Sequence, residues 1–205
     1  MAGLLATDAT GPAHGQVSCA RQGGRMFILY GLLAGLAAGL FSGGGPGGLT
    51  ELRLRWVPVV LAGLLVQVVL FWGPVSDRVG TLGPVLYVGS TALVFAAVLR
   101  NVRLPGLPIV AAGAACNLAA IIANGGYMPA SQGALAAIGH VLGSTYSNSA
   151  VVARPVLEPL TDIFALPRWV PFSNVFSVGD LLIATGVAVV IAWAMRRSRA
   201  RASLS

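Results

Sequence analysis

Four uncharged apolar stretches, at residues 26–42, 56–76, 79–99 and 104–123, and a fifth at 176–195 interrupted only by Asp180, constrain this chain more than any other feature. A hydrocarbon core about 30 Å thick is crossed by about 20 apolar residues of α-helix. Helix is the form that works there because each backbone N–H and C=O must find its partner inside the segment. The stretches predict an all-α membrane protein, a five-transmembrane-helix bundle with spans near 26–42, 56–76, 79–99, 106–123 and 176–195. Composition agrees, with 9% charged residues where a soluble domain carries about 25%. Connections are short except the fourth, so residues 26–200 read as one polytopic domain and 201–205 as a tail. A net charge of +7 in such a bundle is a topology signal and not a nucleic-acid footprint.

Arginine placement gives the orientation. A cytoplasmic C-terminus with Arg196, Arg197, Arg199 and Arg201 puts Arg53, Arg55, Arg100 and Arg103 on the same side of five spans, eight Arg in all. The other side receives Arg78, Arg154 and Arg168, plus Arg21 and Arg25 if the first 25 residues belong to the native chain. The positive-inside bias then selects N-out and C-in. The long loop at 124–175 faces outward, and the expected location is the bacterial cytoplasmic (inner) membrane. Residues 1–25 mix small and polar side chains without helical period and read as a disordered or non-native extension, with Met26 opening the first apolar run. Cys19 and Cys116 offer neither a disulfide framework nor a metal-binding spacing. His140 lacks a companion ligand, so no metal and no cofactor is expected.

Gly31, Gly35 and Gly39 recur every fourth residue. They lie on one helix face, where a neighbouring backbone can approach closely. That face would pack against another helix of the same chain or against a second copy. Gln67 is the strongly polar side chain of the second span and is expected to bond to a neighbouring helix. Gly73 to Arg78 is read as a tight turn between spans two and three, and residues 134–142 as a short interfacial helix. Polarity gathers in the outward region, where Asn124, Tyr127, Arg154, Asn174 and Ser177 form a candidate binding or structural cap. A connection of about fifty residues without structure of its own is uncommon.

Several motifs carry a resemblance: Arg-Asn-x-Arg-Leu-Pro-Gly at 100–106, Ala-Asn-Gly-Gly-Tyr-Met-Pro at 123–129 and Asn-Val-Phe-Ser-Val-Gly-Asp at 174–180. In these the chain resembles a bacterial integral-membrane family catalogued as domain of unknown function 5317, from Met26 to the end. The resemblance implies a small polytopic membrane protein and brings no activity with it. A second, local likeness covers about thirty residues. Leu160-Thr161-Asp162-Ile163-Phe164 and the later Asp180 look like the two catalytic aspartate segments of prolipoprotein signal peptidase. That resemblance implies Asp162 and Asp180 as a dyad, supported by Arg154 and Asn124. Ser177 stands where that family has Asn, and Gly179 where it has Ala.

Two carboxylates held close together share a proton and can activate a water. The derived topology puts Asp162 and Asp180 on one side of the membrane, as a dyad requires. Ser177-Val178-Gly179-Asp180 also fits the capping box that closes a helix start, where an acid is favoured by the helix dipole. Two readings from different classes follow: a non-catalytic accessory or small-ligand-binding membrane protein with an outward polar cap, and an intramembrane aspartic endopeptidase using the Asp162–Asp180 pair. The bilayer is the expected partner, with a membrane protein or a second copy through the Gly31/Gly35/Gly39 face as a further one.

Overall fold

The computed structural model describes residues 25–139, 149–152, 154–171 and 173–202. Residues 1–24, with Cys19, and the expected loop residues His140, Leu142, Ser144 and Ser147 lie outside the described residues. The described chain is mostly helical: α1 (Arg25–Phe41), α2 (Gly47–Thr50), α3 (Val57–Leu70), α4 (Gly73–Ser76), α5 (Leu82–Arg100), α6 (Leu107–Ala123), α7 (Gln132–Ile138) and α8 (Val178–Ala202). Two segments, Leu82–Arg100 and Val178–Arg197, are long and apolar enough to cross a membrane, while α1, α3 and α6 are shorter apolar helices.

Local chemistry sets these limits. The apolar run at 56–76 is divided, because Pro74 has no N–H for the Leu70 carbonyl and its ring would clash there in a continuous helix. The expected tight turn at Gly73 to Arg78 is instead the one-turn α4. Gly106 holds a φ of +90° just ahead of α6. A side chain would be unwelcome at that position for a second reason, since a Cβ on Gly106 would stand 2.5 Å from the Gly186 carbonyl oxygen.

Helix α8 is the axis of the bundle and packs most extensively on α1 and then on α6. Gly31 lies against Ala184, Gly35 against Ala188 and Gly39 against Met195, so α1 and α8 run parallel. Gly113 lies against Gly179 and Ile183, and Gly106 against Gly186 and Val190, so α6 and α8 run antiparallel. The small-residue face of α1 is therefore filled by α8 of the same chain. Helices α3 and α5 pair on the far side, where Gln67 Nε2 donates to Thr91 Oγ1 at 3.2 Å. The outer faces stay apolar: Leu32, Leu33, Leu61, Leu65, Leu82 and Val85 are all exposed. A helix apolar on every side belongs in a protein core or in lipid.

The segment between α6 and α8 folds into a cap. Strand β1 (Met128–Pro129) pairs in parallel with β2 (Ser149–Ala150), and β3 (Phe164–Ala165) pairs antiparallel with β4 (Val175–Phe176). A 3-10 turn, η1, spans Glu158–Leu160. The cap has its own small core of Ala130, Ala134, Leu135, Ile138 and Val175. A second cluster of Leu70, Tyr87, Ala120, Ile121 and Met128 joins it to the helices.

Two asparagines tie loops to helix ends in the same way. Asn101, following α5, donates to the Ala97 carbonyl and grips the backbone of Arg55, accepting its N–H at 2.7 Å and donating to its C=O at 2.8 Å. Asn124, following α6, donates to the Ala120 carbonyl and grips Val156 by the same two bonds, at 2.9 and 2.8 Å. In each case the next residue turns left-handed, Trp56 with φ 64° and Leu157 with φ 56°. These are the non-glycine residues of positive φ among the described residues. The side-chain amide imitates a strand partner, which fixes where the chain leaves one element and enters the next.

Candidate functional site

The polar centre of the molecule lies where the cap meets the first turn of α8. Ser177 is the residue before the helix and is fully buried; Asp180, three positions on, is 7% exposed. The Asp180 N–H donates to Ser177 Oγ at 3.0 Å, and Asp180 Oδ2 accepts the Ser177 N–H at 3.1 Å. This reciprocal pair satisfies two backbone N–H groups that a helix start leaves open. Asn117 on α6 completes the cluster: its Nδ2 donates to Asp180 Oδ1 at 2.8 Å, and its Oδ1 accepts the Ser177 hydroxyl at 2.9 Å. Each carboxylate oxygen of Asp180 thus accepts a hydrogen bond from the protein itself.

Backbone contact makes this possible. A Cβ on Gly179 would stand 1.9 Å from Asn117 Oδ1 and 2.7 Å from the Gly113 carbonyl. The absence of a side chain at Gly179 and Gly113 is what lets Asn117 reach the end of α8.

Asp162 enters from the cap. Its backbone N–H donates to the Pro129 carbonyl at 2.9 Å, and its own carbonyl accepts the Ser131 N–H at 3.0 Å. Those bonds form the bridge between Ala130 and Asp162 that extends β1. Asp162 as a whole is 2% exposed. The β3–β4 ladder pairs Phe164 with Phe176, whose rings stack at 5.4 Å. One strand of that ladder follows Asp162 and the other leads into Ser177 and α8, so both acids belong to the same end of the bundle.

The remaining expected cap residues have different surroundings. Asn124 is the clamp on Val156 described above. Tyr127 is half-buried between α6 and β1 in sequence, and Arg154 is exposed. Asn174 joins the β3–β4 hairpin through its backbone, accepting the Leu166 N–H at 2.7 Å. Its side-chain nitrogen is enclosed without an acceptor among the described residues. Among the described residues no three His, Cys, Asp or Glu side chains gather as they would around a metal ion. Asn117 is the member of the site that has no role in the sequence-based expectations; an amide inside an apolar helix is the signal that marks it.

A model of a family of unknown function, DUF5317, matches residues 51–192. No curated protein matches the chain, and no solved structure matches it. These comparisons give no support to the likeness of residues 154–180 to prolipoprotein signal peptidase.

Proposed function

We propose that this chain, which belongs to the DUF5317 family, is a multi-pass protein of the bacterial inner membrane with a non-catalytic, accessory or small-ligand-binding role. The observation that carries this reading is the hydrogen bonding of Asp180: both oxygens serve Ser177 and Asn117, so the acid closes the start of α8 against α6. Such a closure matters most at a membrane boundary, where water is scarce as a substitute partner.

The five apolar helices act as five spans in this reading, N-out and C-in, with residues 26–200 as one domain and the cap outward. The alternating directions of α1, α6 and α8 support it. So does the gathering of Arg53, Arg55, Arg100, Arg103, Arg196 and Arg197 at the opposite end, as the positive-inside bias requires. Trp169, 85% exposed at the tip of the β3–β4 hairpin, suits a position at the outer lipid boundary. A second copy would meet a face other than Gly31/Gly35/Gly39, since α8 covers that one.

One observation favours the aspartic endopeptidase as a second reading: Asp162 and Asp180 are both buried at the same end of the bundle. The two readings separate in one experiment, in which Asp162→Asn, Asp180→Asn and the unaltered protein are reconstituted and tested on a membrane-tethered lipopeptide while thermal stability is followed in parallel. The accessory reading expects no cleavage by any of the three and a loss of stability in Asp180→Asn. Cleavage by the unaltered protein that both variants lose at unchanged stability would overturn it.

A further inference from the structure

A cleft of about 480 Å³ opens at the end of the bundle opposite the cap. Its walls include Glu51, Leu52, Arg53, Leu104, Trp193 and Arg197. This volume falls in the range of about 300–1,000 Å³ typical of small-molecule sites. The cleft is built, not accidental: the glycine-rich connection after α1 is pressed onto the last turns of α8, where Gly45 N–H donates to the Met195 carbonyl at 3.2 Å. At Gly48 a Cβ would stand 2.0 Å from the Ala194 carbonyl oxygen. That contact brings Arg53 across to Arg197.

The lining is divided by chemistry. Leu52, Leu104 and Trp193 offer apolar surface, and Arg53 and Arg197 offer guanidinium forks on exposed side chains. Arg197 also lies over the Trp193 ring, 5.3 Å from its centroid. A guanidinium recognises a phosphate through paired N–H donors. Glu51 is the acid in the lining, but the segments that form this end also carry Arg55, Arg100, Arg103 and Arg196, so its net charge is positive. A tryptophan and an arginine at the end of an apolar helix are the side chains found at headgroup depth.

We propose that this cleft binds the phosphodiester of an anionic phospholipid, with Arg53 and Arg197 on the phosphate and Leu52, Leu104 and Trp193 against the glycerol and the first acyl carbons. The proposal rests on the membrane reading above. Basic pockets at the charged end of a helical bundle take lipid headgroups by this combination of charge and apolar contact.

The test uses full-length protein reconstituted in vesicles that contain brominated phosphatidylglycerol or brominated phosphatidylcholine. The Trp193 contribution to fluorescence is obtained by difference from Trp193→Phe, and flotation reports vesicle association separately. Phosphatidylglycerol should quench Trp193 saturably at low mole fraction. Arg53→Gln, which leaves the Arg197–Trp193 contact in place, should weaken this about fivefold, and Arg53→Gln with Arg197→Gln about thirtyfold. Helical circular dichroism and thermal stability of the variants should match the unaltered protein.

Equal quenching by the two lipids, or unchanged quenching in the double variant, would overturn the lipid site while leaving the membrane reading intact. Loss of the selectivity on adding inorganic phosphate would mean that a free anion is the ligand, which also overturns it. Failure to float with vesicles of either composition would overturn the membrane reading and the lipid site together.

Discussion

Asn117 on α6 and Asp180 on α8, 63 residues apart, are joined by a 2.8 Å hydrogen bond in the first turn of α8. The same amide receives the Ser177 hydroxyl, so one side chain reads both halves of the capping box. Asp180→Asn should therefore be destabilising although it keeps the shape. The new amide presents N–H to either the Ser177 N–H or Asn117 Nδ2, setting donor against donor. The expected loss is about 1–3 kcal/mol, the cost of a buried group deprived of its partner. Thermal unfolding in detergent measures it, and an unchanged midpoint would remove Asp180 from its structural role.

The α1–α8 seam predicts an order among glycine substitutions. In Gly31→Ala the new Cβ meets the Ala184 carbonyl oxygen at 2.4 Å, and in Gly35→Ala it meets Ala188 Cα at 2.7 Å. Both obstacles are backbone, so the helices must separate, at about 1–3 kcal/mol each. In Gly39→Ala the obstacle is Met195 Sδ at 2.4 Å, near the end of a flexible side chain, and the loss should be smaller. Gly47→Ala meets nothing within 4 Å and should stay within about 0.5 kcal/mol of the unaltered protein. Unfolding midpoints ranked otherwise would contradict the parallel packing of α1 on α8.

The Asn124 clamp predicts a local effect. Asn124→Ala removes both bonds to the Val156 backbone and the bond to Ala120, and Leu157 loses the neighbour that holds its left-handed turn. Amide exchange at Val156 and proteolysis between residues 149 and 171 should accelerate, at a cost of about 1 kcal/mol per lost bond. Asn101→Ala, which releases Arg55 at the other end, should leave both readouts unchanged. Acceleration in both variants would mean that the clamps are not local devices.

Much of this architecture is legible in the sequence because apolar runs and their breakers act locally. The Ser177–Asp180 spacing marks a helix start within three residues, whereas the run at 56–76 reads as one span although Pro74 divides it. What escapes is anything whose partner lies far along the chain. The four-residue spacing of Gly31, Gly35 and Gly39 announces a close approach, but nothing in it names α8. Asn117 is visibly out of place in an apolar helix, yet its partners Ser177 and Asp180 appear only when α6 and α8 are packed antiparallel. The cap strands are two residues long, too short for any alternation to show. They exist because Ala130, Asp162 and the Phe164–Phe176 pair meet across the fold.

The proposed five-span bundle, with its cap outside the cell and its arginine-rich end within, makes a sharp prediction for cysteine accessibility. In a Cys19→Ser, Cys116→Ser background, Trp169→Cys lies at the exposed tip of the β3–β4 hairpin and Arg201→Cys beyond the last apolar turn of α8. Labelling of spheroplasts with a membrane-impermeant maleimide should modify the residue-169 thiol at once and the residue-201 thiol only after the membrane is permeabilised. A residue-169 thiol that reacts only after permeabilisation would contradict the outward placement of the cap.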